Sequence, residues 1–268
     1  MLRTPFPRLP PIALAIALAA LIPSSQALAD GLLAHRADYR VTIGAGDQAP
    51  AIGTARQKLT ACNGSWKLER DVEASVALTQ SLRFDIGSVL RAEETLSGNA
   101  FSYRLNRAMN GERSERAGRV SLTRTGGKAV LSSPEGRRTL DLPPETILPL
   151  GLIPAVIERL LRGAEAFALE TFDAEIISDN FLIKGSLLDP QDLPPRFLNG
   201  VDAAKVGARV WPLLLEFNRA DRPTDPPMFQ TRLRLHETGV ISRMVLTYGW
   251  VTLGIDLIEF TPLTADSC

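Results

Sequence analysis

Acid–base chemistry in this chain has two imidazoles to draw on, His35 and His236, about 200 residues apart. A serine nucleophile would need one of them as its base, oriented by a carboxylate. Neither lies in a Gly-x-Ser-x-Gly or His-Glu-x-x-His setting, and no glycine-rich loop ends in Gly-Lys-Ser/Thr. His236 alternates with Leu233 and Leu235, as a strand residue does when it faces solvent or makes a hydrogen bond. Ser178-Asp179-Asn180 spells one element of the penicillin-recognising serine enzymes. Their Ser-x-x-Lys nucleophile is absent, since none of the five lysines (58, 67, 128, 184, 205) follows a serine by three residues. The tripeptide reads as a turn before a strand at Phe181.

Two carboxylates at a suitable separation can hydrolyse a glycosidic bond. The pair Glu93-Glu94 is poorly placed for this, because successive residues of a strand point to opposite faces, and solvated strand edges account for it. Two His and two Cys offer few ligands for a metal site, so neither metal nor cofactor is expected. A cell-wall hydrolase, which would need a cleft where an imidazole meets a nucleophile or paired carboxylates, ranks last among the functional classes.

Charge is distributed unevenly. Residues 101–138 hold nine basic side chains against Glu112, Glu115 and Glu135, a local net of +6 in a chain whose formal charge is zero. Arginine forks match phosphate and carboxylate. Arg104, Arg107, Arg113, Arg116, Arg119 and Arg124 are therefore candidates for an anionic-ligand or partner surface, and edge-strand protection by charge is the plainer alternative. Nucleic acid is disfavoured, because the stretch offers only Phe101 and Tyr103 for base stacking and the chain carries an export signal.

That signal occupies residues 1–29. Arg3 and Arg8 precede an apolar run from Ile12 to Ile22, a break at Pro23-Ser24-Ser25, and Ala27-Leu28-Ala29, the composition of a secretory signal peptide cleaved after Ala29. Its 11 apolar residues are too few for the roughly 20 of a spanning helix. The mature chain, residues 30–268, has a net charge of −2 and no membrane span; Ile147 to Ile157 is broken by Pro149, Gly151 and Pro154. A periplasmic location follows as the expectation. Cys62 and Cys268 then meet an oxidising compartment, where a single disulfide is the natural pairing. A redox pair or a metal site are the competing readings.

The elements that must position these residues are mostly strands. Short alternating runs separated by Gly, Asn, Asp and Pro predict strands over Ala37–Ile43, Ala55–Thr60, Trp66–Leu78, Leu82–Phe84, Val89–Leu96, Phe101–Leu105, Arg119–Arg124, Ala129–Ser132 and Arg137–Leu140. They resume over Phe167–Ala174, Phe181–Leu187, Ala208–Phe217, Met228–His236, Ile241–Tyr248 and Trp250–Thr261. Asn110-Gly111 and Thr125-Gly126-Gly127 mark hairpin turns. A single helix is predicted over Pro154–Arg162, with Val156, Ile157, Leu160 and Leu161 as its core-facing stripe and Gly163 after it. The whole reads as one β-rich domain.

The chain carries the landmarks Leu33-Ala-His-Arg-Ala-Asp-Tyr39, Cys62-Asn-Gly64 with Trp66, the Pro-rich entry and helix of Pro143–Arg162, and Thr171-Phe-Asp173. In the C-terminal third come Trp211-Pro212, Phe217, Glu237-Thr-Gly-Val240, Ser242-Arg243, Leu246-Thr-Tyr-Gly249 and Cys268. In their order and spacing these landmarks resemble the alphaproteobacterial cell-envelope integrity protein B family. The resemblance implies an antiparallel, spiral or barrel-like sheet wrapped around one helix and a cup-like cavity, with a disulfide between the two cysteines. It also implies a periplasmic, non-enzymatic role in envelope integrity. The partner would be an envelope protein or a lipid or cell-wall component. A carrier that holds a lipid or acyl chain in an apolar cup is the alternative.

Overall fold

Two Asn-Gly pairs show how this chain turns. Asn63-Gly64 and Asn110-Gly111 all adopt positive φ, the conformation of a tight hairpin whose twist matches its flanking strands. Repeated down the chain, such turns lay out a meander. The computed structural model describes residues 32–264 except 78–82, 177 and 197–200; the predicted signal peptide and Cys268 lie outside the described residues.

The first eight strands are β1 (His35–Ile43), β2 (Ala51–Cys62), β3 (Ser65–Ala77), β4 (Arg83–Thr95), β5 (Ala100–Met109), β6 (Glu112–Thr123), β7 (Gly126–Ser133) and β8 (Gly136–Leu142). Helix α1 (Leu152–Leu161) leads to β9 (Ala166–Phe172) and β10 (Asn180–Leu187). A one-turn helix α2 (Ala203–Val206) precedes β11 (Val210–Arg219), β12 (Phe229–His236), β13 (Ile241–Tyr248) and β14 (Val251–Pro262). All fourteen strands join in one antiparallel sheet in the order β8-β7-β6-β5-β4-β3-β2-β1-β14-β13-β12-β11-β10-β9, which is open because β8 and β9 do not pair.

Three details differ from expectation. Within the described residues, the runs expected over Leu82–Phe84 and Val89–Leu96 fall in one strand, Arg83–Thr95, since Ile86 to Val89 pair without interruption with Met109 to Asn106 of β5. Asp85-Ile-Gly87 looked like a break, but a partner strand carries the ladder through it. The helix starts two residues before Pro154, which therefore lies in its first turn, where a missing N–H costs little. A second helix, α2, is present; its single turn is too short to show a periodicity, and Asp202 caps it by accepting from the Ala204 N–H at 3.0 Å.

Both free edges are covered or charged. β8 carries Arg137, Arg138 and Asp141. Beside β9, the segment leaving β8 forms a parallel bridge at Ile147: its N–H donates to Glu170 O at 2.8 Å and its carbonyl accepts from the Phe172 N–H at 3.0 Å. Unpaired edges invite association, and these devices block it.

The inner face of the sheet is filled by apolar side chains in three clusters. Trp66, Leu68, Leu90, Phe101, Tyr103, Leu105 and Leu131 pack with Leu148 and Phe172. Val156, Ile157 and Leu160 of α1 meet Phe181, Ile183, Leu213, Leu233 and Leu235. Ala37, Tyr39, Val41 and Leu257 form the third with Val206 of α2. Gly118 is required where it stands, for a Cβ there would come within 2.4 Å of the Tyr103 ring.

α1 lacks a side-chain cap of its own, and the partner comes from β4. Glu94 accepts a hydrogen bond from the Leu150 N–H at 2.7 Å and sits 2 % exposed. Here the alternation expected of Glu93-Glu94 holds, but only Glu93 is solvated. Burial pushes the Glu94 carboxyl up to about 7, against the opposing pull of the Leu150 and Gly151 N–H groups. Its folded pKa is above the ordinary value of 4.5, so the folded chain holds this proton more tightly. Stability should therefore fall as pH rises from about 4.5 to about 7, by on the order of 3 kcal/mol from this residue. Denaturant titrations across that window will show the decline in the native protein. In Glu94→Gln the Glu94 component will be absent, so the difference between the two proteins will change with pH over that window and level off above it.

Candidate functional site

Both imidazoles are buried and fully occupied. His35 Nδ1 donates to Leu33 O at 2.7 Å, which leaves Nε2 to accept from the Gln57 amide at 3.2 Å. His236 Nδ1 donates to Gly207 O at 2.9 Å, so its Nε2 accepts from the Ser242 hydroxyl at 2.9 Å. Burial holds both rings below the usual histidine range, in the neutral form this bonding requires. A serine on a histidine Nε2 is half of a nucleophilic triad. Here the hydroxyl is 2 % exposed, the ring 4 %, and a backbone carbonyl stands where an orienting carboxylate would be. Instead the pair ties the β12–β13 turn to the chain between α2 and β11.

The rest of that turn acts similarly. Thr238 Oγ1 donates to Val206 O, the Arg209 N–H donates to Glu237 at 3.2 Å, and the Leu33 N–H donates to Thr238 O at 2.9 Å. The landmarks Glu237-Thr-Gly-Val240 and Ser242-Arg243 are thus the grip that holds the β10–β11 connection on the sheet.

A second grip is ionic. Asp256 of β14 is 1 % exposed; Arg196 of the β10–β11 connection reaches it at 3.0 Å, and Arg243 of β13 lies 3.6 Å away. Arg243 also donates to Pro194 O and Ala45 O, and Arg196 to Asp47 O. Burial raises the Asp256 carboxyl above its usual range, against the pull of both guanidinium groups.

The six arginines expected to form one surface are divided by strand alternation. Arg107 and Arg116 lie on the inner face with Leu105 and Val120, while Arg104, Arg113 and Arg119 face outward and Arg124 sits in the β6–β7 turn. Of the two inner ones, Arg107 addresses the β9–β10 loop, together with inner arginines of other strands. Arg107 donates to Glu175 O at 2.7 Å, Arg70 of β3 pairs with the Glu175 carboxylate, and Arg138 of β8 donates to Ser178 O. Asp173 organises that loop by accepting from the N–H groups of Glu175, Ile176 and Ser178. Together these bonds fasten the β9–β10 hairpin to β3, β5 and β8. Ser178, with φ +51°, is the turn residue the sequence predicts before β10.

Of the outward arginines, Arg104 and Arg119, but not Arg113, border a concavity of about 600 Å³ across β3 to β8. Arg91, Arg104, Arg119 and Arg137 surround a floor of Ser102, Ala117, Val130 and Ser132, with Lys67, Glu69 and Glu93 on the β3 side. Arg91 and Arg104 are direct cross-strand partners. Like charges in that relation destabilise a sheet. Arg104 has one partner, Glu115 at 3.3 Å, whereas Arg91, Arg119 and Arg137 have no ion pair among the described residues. This concavity is charged, unlike the continuous apolar cup that a lipid carrier would need. Of the four arginines the sequence singled out Arg104 and Arg119. Arg91 fell outside the basic stretch and Arg137 was only counted within it; the hairpin geometry that unites them was available, since Arg91 and Arg104 are equidistant from the turn at Ser97-Gly98.

An open, barrel-like antiparallel sheet wound around a short helix defines the structural class. Within that class, the model of the EipB-like family matches residues 26–264, and the chain belongs to this family. It is similar to a crystal structure described as a β-barrel-like protein of the domain of unknown function DUF1849 from Brucella abortus. The TM-score is 0.73 at 18 % identity, with 87 % of this chain and 98 % of that one covered, a likeness of fold. No curated protein matches the chain. Among the described residues, no helix is long and apolar enough to cross a membrane, and no group of His, Cys, Asp or Glu is arranged to hold a metal ion.

Proposed function

We propose that the chain is an exported, non-enzymatic periplasmic protein that supports envelope integrity by binding an anionic envelope component in the outward arginine concavity. The observation that carries this reading is the cluster Arg91, Arg104, Arg119 and Arg137. Three of its four members lack ion pairs among the described residues, and two stand directly opposite each other at a cost to the sheet. A bound phosphate or carboxylate relieves that repulsion through forked hydrogen bonds. Edge protection accounts for Arg137 on β8 but not for Arg91, Arg104 and Arg119, because β4, β5 and β6 are interior strands of the sheet. Membership of the EipB-like family and the signal-like N-terminus support the location, and the sealed imidazoles support a binding role over hydrolysis.

The reading includes a Cys62–Cys268 disulfide. Cys62 is buried at the end of β2, on the side of the sheet where β14 ends. The Leu263 N–H donates to Ala34 O at 2.8 Å, and continuing the β1–β2 register past His35 and Leu59 sets Cys62 level with Leu32. The tail thus starts two strand spacings from Cys62, roughly 9.5 Å. Four further residues, at about 3.3 Å each, span that gap.

Replacing the chromosomal copy with the double variant Arg91→Glu/Arg104→Glu tests the site. With the protein folded and exported at native levels, the strain should become as sensitive to detergents and cell-wall antibiotics as a deletion strain. Full resistance in the double variant would remove the concavity from the function, and full resistance in the deletion strain would remove the envelope role.

A further inference from the structure

The strands alternate in direction, so the hairpins β1–β2, β3–β4, β5–β6, β7–β8, β9–β10, β11–β12 and β13–β14 all turn at one end of the sheet. That end carries most of the apolar surface left uncovered. Among the described residues nine large hydrophobic side chains are exposed, and five of them belong to this end: Ile86, Met109, Ile176, Tyr248 and Trp250. Trp250 is 80 % exposed and Tyr248 57 %, and both stand at the tip of the β13–β14 hairpin around Gly249. The hairpin is also free of charge from Met244 to Ile255, 12 residues in a chain that is 22 % charged. Along the chain its nearest charged residues are Arg243 and Asp256, which are buried and pair with each other at its base.

We infer that this end of the molecule docks on a lipid bilayer surface, with the Tyr248-Gly249-Trp250 tip inserted at the level of the headgroups. The chemistry of the tip selects that occupant. Trp and Tyr present an apolar ring with one polar atom, the combination that partitions to the boundary between hydrocarbon and water. A protruding two-strand tip enters a fluid phase without a matching pocket, and an uncharged hairpin spares the desolvation that a Lys, Arg, Asp or Glu would incur there. Met109 of the β5–β6 turn and Ile176 of the β9–β10 loop are further apolar side chains at the same end, while the turns flanking the tip, β1–β2 and β11–β12, carry Asp47 and Asp221. The arginine concavity lies on the side of the sheet, so this docking is independent of the anion-binding reading and would hold the protein against a membrane while that site engages its ligand.

The test is co-sedimentation of the purified protein with vesicles of phosphatidylcholine alone and with vesicles containing phosphatidylglycerol. The native protein should bind both, with little dependence on salt, and part of its tryptophan fluorescence should be quenched by brominated acyl chains. Trp250→Ser/Tyr248→Ser alters exposed tip residues, and circular dichroism will confirm its fold. Its partitioning should drop at least about tenfold, the effect of losing 1.4 kcal/mol of binding. Failure of the native protein to bind either vesicle overturns the inference, as does unchanged binding by the double variant. Binding confined to anionic vesicles, and abolished by Arg91→Glu/Arg104→Glu, would equally overturn it while leaving the anion site standing.

Discussion

Replacing Cys62 by serine, or reducing the exported protein, should lower its unfolding free energy by about 5 kcal/mol, less any strain in the native bond. The size follows from the loop that a Cys62–Cys268 bond closes, 207 residues, almost the whole mature chain. In the unfolded ensemble that constraint removes most of the freedom of the two ends relative to each other. The native sheet has a particular use for it. β1 and β14 meet at the centre of the sheet order, and their shared end is where both termini of the described chain lie. The bond would fix that seam. Equilibrium urea titrations of native and Cys62→Ser protein, with peptide mapping under non-reducing conditions, will measure the effect. Equal midpoints, or free thiols at both cysteines in exported protein, would refute the pairing.

Asp256→Ala should cost about 3–5 kcal/mol, the usual consequence of removing one partner from a buried ion pair. Arg243 would remain at 9 % side-chain exposure with no counter-charge among the described residues, and Arg196, at 16 %, with only the exposed Asp47 at 3.6 Å. Arg234, opposite Arg243 on β12, adds to the repulsion; burial first, and then the Arg243 charge, hold its guanidinium below the usual arginine range. The damage should be directional. Arg196 is the tie between the β10–β11 connection and the turn at Gly46 and Asp47, so limited proteolysis should cut the variant first within residues 188–209. Asp256→Asn keeps an acceptor for Arg196 and should lose less. A loss below about 1 kcal/mol in the alanine variant would contradict the clamp.

Much of the fold is legible in the sequence because it rests on local rules. Asn110-Gly111 and Thr125-Gly126-Gly127 specify their own hairpins, alternation assigns the faces of β3 to β7, and the stripe Val156, Ile157, Leu160 marks the buried side of α1. Leu161, the fourth member of that expected stripe, is 54 % exposed, because the helix ends there and its last turn passes the edge of the core. What the local rules could not supply depends on partners far away in the chain. The ladder that carries β4 through Asp85-Ile-Gly87 comes from β5, and Glu94 is buried because the entry to α1, 56 residues later, needs an acceptor.

The candidate site shows the same division. A cluster of arginines between residues 101 and 138 was visible as composition, yet composition does not assign faces. Alternation sends Arg107 inward to the β9–β10 loop and leaves Arg104 and Arg119 outside, and the hairpin register brings in Arg91 from β4. Arg243 and Asp256 were within reach of the same hairpin arithmetic, being equidistant from the β13–β14 turn. Arg196 was not, since it arrives from a connection whose path no periodicity describes.

The central claim, that the outward arginine concavity holds an anionic envelope component, is tested most directly by placing a photo-crosslinking residue at Ser132, on its floor, and irradiating living cells. The account predicts an adduct with a phosphate- or carboxylate-bearing envelope component, which disappears when Arg91 and Arg104 are both changed to glutamate. An unmodified protein at Ser132, or an adduct that persists in the charge-reversed variant, would contradict it.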